Sequence, residues 1–422
     1  MQLVAVIGFG CAGYNAVKAI RENGKDFEID VYSNTNEAPY NPMLTTYYVS
    51  GKISEKEMFP FGSLEEIREK LQIRVFCNTP VAKLLAKEKC VVTSDGCKRK
   101  YDHIVIASGA RAVLPPIKGI PEKNVYTMRT ADDARRLLAA LQQGVASAVV
   151  VGGQMVGIKV VELLHKRGVK TALVDMAKQI FPLSATAHTA KIIEERLRSA
   201  GIELGFGSAL TSVAETEKGL VSRYADGSER CSDIVVFCSG IRANISFVDF
   251  DELEIGRAAI KTDLNMRTNI PGVYAVGDCC ETVDMLNGGN SYIGLWANAN
   301  IQGRVAGENI CGLDTSYGGN LIHNITHYMD TDFISIGDCR AEGEHLFWRS
   351  RDGSWKMEVI LREGRILAVN ILDNANVSGA VKQVLLRRAS YPEQEMTEME
   401  KMVLLRSGIS AGIIAKLGGG RK

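Results

Sequence analysis

The stretch Val149–Asp175, VVVGGQMVGIKVVELLHKRGVKTALVD, reads as a buried strand, a tight glycine turn, a helix with apolar residues at helical spacing, and a second strand ending in a carboxylate. That order is the layout of a βαβ dinucleotide-binding unit. Gly152 and Gly157 occupy the first and third glycine positions of the turn, and Gly153, Met155 and Val156 fill it out. Gln154 stands where the second glycine belongs. A side chain there should either push against an approaching pyrophosphate or force a different turn. Asp175 is placed to accept from a ribose diol, which favours an unphosphorylated ribose.

Working outward, the N-terminus repeats the plan. QLVAVIGFG is a strand-length apolar run ending in glycine, CAGYNAVKAIRENG has helical spacing and stops at Gly24, and FEIDVYS is the next strand. Gly8-x-Gly10-x-x-Gly13 satisfies the full fingerprint, with Cys11 and Ala12 inside the turn. The first glycine turns the chain, the second lets backbone approach a pyrophosphate, and the third packs helix on strand. The strand end carries Ser33 and Asn34 where an acidic ribose ligand is usual; Glu37 follows. Two such units form a weak internal repeat. Between them YDHIVIASGARAVLPPIKGI runs a strand into a small-residue turn and then Pro115-Pro116, which hold the chain extended and suit a crossover. After the second unit, CSDIVVFCSGIRAN and TNIPGVYAVGDCC are further strands ending in glycine. From about Asn320 the pattern becomes short alternating strands followed by helices, and the tail GGGRK is expected to be disordered.

Composition sets limits. The chain has 422 residues, 46% hydrophobic and 23% charged, with a formal net charge of +1, so a nucleic-acid binder is not expected. The start MQLVAVIGFG enters a glycine turn at once rather than forming a signal peptide, and no apolar run reaches the ~20 residues of a membrane span, so a soluble cytoplasmic protein is expected. Ten cysteines are scattered without a C-x-x-C pair or zinc spacing, and most read as buried small hydrophobes. His323 and His327, four apart, lack acidic or cysteine companions, so no metal site is expected. Trp348 and Trp355 read as core or interface.

With both units placed, the chain resembles the pyridine nucleotide-disulfide oxidoreductase superfamily over roughly residues 1 to 318. AVIGFGCAG resembles its FAD pyrophosphate motif. IVIASGARAVLPPIKG resembles A-T-G-A-R-P-x-x-P-P-I-x-G, with Ser108 for Thr. TNIPGVYAVGDC resembles the second FAD motif, and WANANIQGRVAG the helix whose N-terminus faces the flavin. The resemblance implies an α/β chain with two Rossmann-like domains and a C-terminal α+β domain. FAD would occupy a domain of residues 1–112 and 241–318, NAD(H) one of residues 113–240, and residues 319–422 would form an interface or dimerisation domain. It implies FAD contacts at Gly8, Gly10, Cys11, Ala12, Gly13, Ser33, Asn34, Val81, Ala107, Ser108, Gly109, Arg111, Gly277, Asp278 (on the ribityl chain), Trp296 and Ala297. NAD(H) contacts fall at Gly152, Gly153, Gln154, Met155, Val156, Gly157, Asp175 and Gly240.

The departures narrow the function. Disulfide-reducing and peroxide-reducing relatives carry cysteine after the first βαβ unit, whereas APYNPMLTTYYVSGKIS has none. Relatives that pass electrons directly to an acceptor place a lysine near the flavin, paired to a glutamate two residues after the third glycine of the NAD turn. Here those positions hold Thr45 or Thr46 and Lys159, so Lys159 is the candidate cation and Thr46 the second catalytic candidate. The expected activity is FAD-dependent NAD(H):acceptor oxidoreduction with a redox partner protein, or as a subunit of a larger complex such as NADH:acceptor subunits form, in a homo-oligomer or complex. The alternatives are a flavin NADH oxidase using oxygen, or a flavin-holding subunit with a decayed NAD site.

Overall fold

The computed structural model describes residues 1–24, 26–117, 119–217, 219–286, 288–390 and 396–417; the expected disordered tail lies outside them. Packing divides the chain into two units. The first takes in residues 1–112, 129–131 and 241–320, and the second residues 113–128, 132–240 and 321–422.

In the first unit Gln2–Ile7 lies at the centre of a parallel five-stranded sheet, ordered Val273–Ala275, His103–Ile106, Gln2–Ile7, Phe27–Tyr32, Arg74–Phe76. Both faces of the central strand are covered, which is why it reads as an unbroken apolar run. Val4 and Val6 pack with Ala16, Val17 and Ile20 of the Cys11–Asn23 helix and with Val305 and Ile310 of the Trp296–Ile310 helix. Ala5 and Ile7 face the opposite side, with Leu84, Val91 and Phe247. The two helices approach closely because the second presents glycine: a Cβ on Gly303 would lie 2.2 Å from the Ala12 carbonyl oxygen, and one on Gly307 2.4 Å from that of Ala16. A three-stranded antiparallel sheet, Val81–Leu85, Cys90–Thr93, Lys98–Lys100, completes the layer.

The second unit repeats this combination. Its parallel sheet runs Glu203–Phe206, Lys170–Asp175, Ser147–Val151, Ile234–Phe237, Val125–Thr127. A three-stranded antiparallel sheet, Leu210–Thr216, Gly219–Tyr224, Glu229–Ser232, packs on one face through Leu210, Val213 and Leu220. The repeat glimpsed in two glycine turns therefore extends to whole layers.

The C-terminal sheet is antiparallel, ordered His323–Tyr328, Thr331–Gly337, Arg365–Leu372, Lys356–Arg362, Glu344–Arg349. It clusters with the second unit through the Ala187–Ser199 helix. The buried Glu358 carboxylate accepts from the hydroxyls of Thr186 and Thr189, and Arg196 pairs with Asp373 at 2.7 Å. His323 and His327 sit on a strand. His327 Nδ1 is 2.8 Å from Asp332, and among the described residues no cluster of His, Cys, Asp or Glu could hold a metal. Trp355 is buried, its ring 4.1 Å from that of Trp348. Among the described residues no helix is long and apolar enough to cross a membrane.

Candidate functional site

The first glycine turn is built by sterics. Gly8 has φ +102°, and a Cβ there would lie 2.3 Å from the Ala107 carbonyl oxygen, so the turn and the neighbouring strand end touch backbone to backbone. A Cβ on Gly13 would lie 2.2 Å from the Gly8 carbonyl oxygen. Gly10 differs: it caps the helix with φ −84°, open to any residue, and its Cβ would meet nothing within 4 Å. The protein itself has no steric need for glycine at 10. A ligand approaching the backbone has one.

Helix capping points the same way. The Leu64–Leu71, Ala187–Ser199 and Glu398–Arg406 helices are capped by the hydroxyls of Ser63, Thr186 and Thr397. The helices starting at Cys11, Met155 and Trp296 carry no side-chain cap and no acidic residue in the first turn. Their amides and dipoles are left for an outside anion. Two of these three helices begin at the glycine turns and the third at the flavin-facing motif. The cradle therefore fits FAD in the first unit and a dinucleotide phosphate in the second.

Around the first turn the chain brings together most of the residues expected to hold FAD. Gly277, with φ +75°, would put a Cβ 3.0 Å from that of Ala12, and the Cys11 thiol is 3.9 Å from the Trp296 carbonyl oxygen. Ala297 follows at the exposed start of the same helix. Cys11 is buried, and burial pushes its thiol up to about 12, so it packs as a neutral group. Ser108 donates to the Asn244 carbonyl at 2.7 Å beside Gly109, and Ser33 accepts from the Thr35 amide at 3.3 Å next to the exposed Asn34. Val81 opens the antiparallel sheet, and Arg111 is exposed on the short strand Ala110–Ala112. Gly240, expected to hold NAD(H), belongs to the second unit, with φ +108° and its carbonyl accepting from the Val113 amide. Thr46 is buried in the short helix Thr45–Val49.

Two features escape a reading of motifs. Arg129 donates to Asp278 Oδ2 at 2.5 Å and to the Ala110 carbonyl at 3.3 Å. It arrives from TMRTADD, a segment with no fingerprint. Behind the same turn, Gln302 accepts from the Gly277 amide at 2.8 Å and donates to the fully buried Asn320, which also accepts from Tyr317. The Tyr292 hydroxyl donates to the Asp278 carbonyl at 3.1 Å. The backbone and the carboxylate of Asp278 are thus both held in place. The G-x-x-x-G of the Trp296–Ile310 helix was a visible sign of close helix contact.

The second turn has the same shape as the first. Gly152 has φ +117° with its Cβ position 2.3 Å from the Cys238 carbonyl oxygen, and the Cβ position of Gly157 lies 1.9 Å from the Gly152 carbonyl oxygen. Gln154 occupies the position before the helix at φ −102°, ψ −173°, against −84°, −163° for Gly10. It forces no different turn. Met155 and Val156 begin the helix. Asp175 Oδ2 accepts from the Gly153 amide at 2.7 Å and Oδ1 from the Ala177 amide at 2.8 Å, so the carboxylate also braces the turn. Lys159 contacts Glu162 and donates to the His327 carbonyl at 2.7 Å; Glu162, buried, also accepts from Lys166 at 2.7 Å.

Every cysteine is a free thiol. Cys279 and Cys280 are fully enclosed and pushed up by burial, so they offer no thiolate.

Residues 2–303 match the family described as pyridine nucleotide-disulphide oxidoreductase. The chain is 31% identical to an NADH oxidase of Methanocaldococcus jannaschii over 74% of this chain and 70% of that one. It is 26% identical to the NADH-dependent phenylglyoxylate dehydrogenase subunit epsilon of Aromatoleum evansii, over 91% of each. A ferredoxin reductase from Rhodopseudomonas palustris shares the fold, with a TM-score of 0.85 at 18% identity over 99% of this chain and 100% of that one. With two uncapped glycine turns built to one plan and a matching sequence over most of its length, the chain belongs to the pyridine nucleotide-disulphide oxidoreductase family.

Proposed function

We propose that the chain is an FAD-dependent oxidoreductase that takes hydride from NADH and passes the electrons to a protein or small acceptor, with no cysteine in the path. The observation that carries the reading is the pair of matched glycine turns, each opening a helix whose first amides are uncapped. When bound, FAD accepts the hydride and divides it into electrons for the acceptor. The chain's part is to bind and to orient. Gly10 admits a pyrophosphate to the helix amides, the Arg129-braced Asp278 offers a fixed acceptor to the ribityl hydroxyls, and the uncapped start of the Trp296–Ile310 helix favours negative charge. Asp175 favours an unphosphorylated ribose, hence NADH. Lys159, pinned by Glu162 and the His327 carbonyl, supplies a cation at fixed position on the NAD-turn helix. Thr46 replaces the relatives' flavin lysine. The enclosed, high-pKa thiols support direct electron delivery over a disulfide relay.

The similarity to the phenylglyoxylate dehydrogenase subunit extends over 91% of both chains, which supports work within a larger complex, with a redox protein as partner. The similarity to an NADH oxidase supports a second reading, with oxygen as acceptor. Anaerobic titration of the FAD-loaded protein with NADH tests the first step: the visible flavin band should bleach at about one equivalent. A band left unchanged by NADH overturns the proposal and favours a flavin-holding subunit. On readmitting oxygen, stoichiometric peroxide or water formation at a turnover rate identifies the oxidase.

A further inference from the structure

We propose that Gln154 is a recognition residue for the dinucleotide: its carboxamide donates to the pyrophosphate of NADH. The inference rests on NADH being the substrate and goes beyond it by assigning the phosphate contact to a side chain.

Three observations carry it. First, the backbone at 154 is extended, a conformation any residue adopts, and it matches that of Gly10 to within about 20°. Folding therefore does not dictate the residue; what differs between the two turns is what is presented to a ligand. Second, the side chain is part-exposed at the mouth of the turn, caps no helix amide, and makes no hydrogen bond to any other described residue. Third, the Gly153 amide is taken by Asp175 Oδ2 at 2.7 Å. One donor of the turn is thereby withheld from a ligand, while the carboxamide adds two N–H donors. A glycine turn meets phosphate with backbone. Here the Cβ of Gln154 holds the backbone away, and the amide group at the end of the side chain spans the added distance. Hydrogen bonds to a charged phosphate are among the stronger ones, which offsets the lost close approach.

The test is binding, not turnover. FAD-loaded wild-type, Q154G, Q154A and Q154E proteins are titrated anaerobically with NAD⁺ and with ADP-ribose by calorimetry, and with adenosine by competition. Q154G and Q154A should each bind NAD⁺ and ADP-ribose about tenfold more weakly, and Q154E more weakly still, with adenosine affinity unchanged. Equal or tighter binding of ADP-ribose to Q154G would make the side chain an obstacle and overturn the proposal. An equal loss for adenosine would assign Gln154 to the turn's shape, and also overturn it. Failure of the wild type to bind either dinucleotide would instead sink the assignment of NADH as substrate, and this inference with it.

Discussion

Arg129 lies 2.5 Å from Asp278 Oδ2 and 3.3 Å from the Ala110 carbonyl oxygen, tying two loops of the first unit to one guanidinium. The Asp278 side chain is only 12% exposed, so without its cation it would be a nearly buried, uncompensated charge. Such a carboxylate either protonates or swings out, and in both cases the acceptor offered to the ribityl chain is lost. Arg129→Ala should weaken FAD binding by more than about tenfold, and Arg129→Lys should restore part of it, because a single ammonium lacks the fork that serves both partners. Reconstitution of stripped protein with FAD reads the effect. Full FAD affinity in Arg129→Ala would show that Asp278 needs no brace.

Two glycines of the first unit should separate binding from folding. Gly303→Ala places a methyl 2.2 Å from the Ala12 carbonyl oxygen, which forces the two helices apart and should cost about 1–3 kcal/mol of stability together with FAD. Gly10→Ala meets nothing within 4 Å and needs no unusual φ, so its melting temperature without FAD should match the wild type while FAD affinity falls. A drop in the cofactor-free melting temperature of Gly10→Ala would mean that the glycine serves the fold.

These contrasts also mark what was legible in the sequence. Strands covered on both faces announce themselves as apolar runs, and Gly8, Gly13, Gly152 and Gly157 announce the turns because backbone collision leaves no alternative residue. The family and its cofactors followed from those signals. The three-stranded antiparallel sheets and the Ala187–Ser199 helix did not, since short amphipathic elements carry weak periodicity. Arg129 and Asn320 stayed hidden for another reason. Arg129 lies 149 residues from Asp278, and Asn320 reaches the Gly277 turn through Gln302, 18 residues before it, so only the fold makes them neighbours. Gln154 was visible as a misfit, but whether it bent the turn could be read only from its dihedrals.

His323 gives the second unit a pH dependence of defined sign. Burial, reinforced by the charge of Lys382, pushes the imidazole from 6.5 down to about 4, and its buried Nε2 has no acceptor among the described residues. The unfolded chain binds the proton more readily, so stability from this group is present above about 6.5 and is lost as pH falls toward about 4. Urea midpoints should fall over that window, and His323→Phe should flatten the fall. An equally steep dependence in the variant would place the acid sensitivity elsewhere.

Lys159 stands where acceptor-reducing relatives place a glutamate, and it is not loose. Its ammonium meets Glu162, donates to the His327 carbonyl at 2.7 Å, and is 13% exposed. Lys166 shares the same carboxylate at 2.7 Å. In the proposed role, a cation beside the flavin stabilises negative charge developing on it more than it stabilises the neutral starting state. Lys159→Ala should therefore slow reduction of the bound flavin by NADH on the order of tenfold, with NAD⁺ affinity kept, and Lys159→Arg should recover most of the rate. Stopped-flow absorbance of the flavin band under anaerobic conditions separates these quantities. An unchanged reduction rate in Lys159→Ala, with only a lowered melting temperature, would reduce the lysine to a strut between the NAD-turn helix and the hairpin at His327.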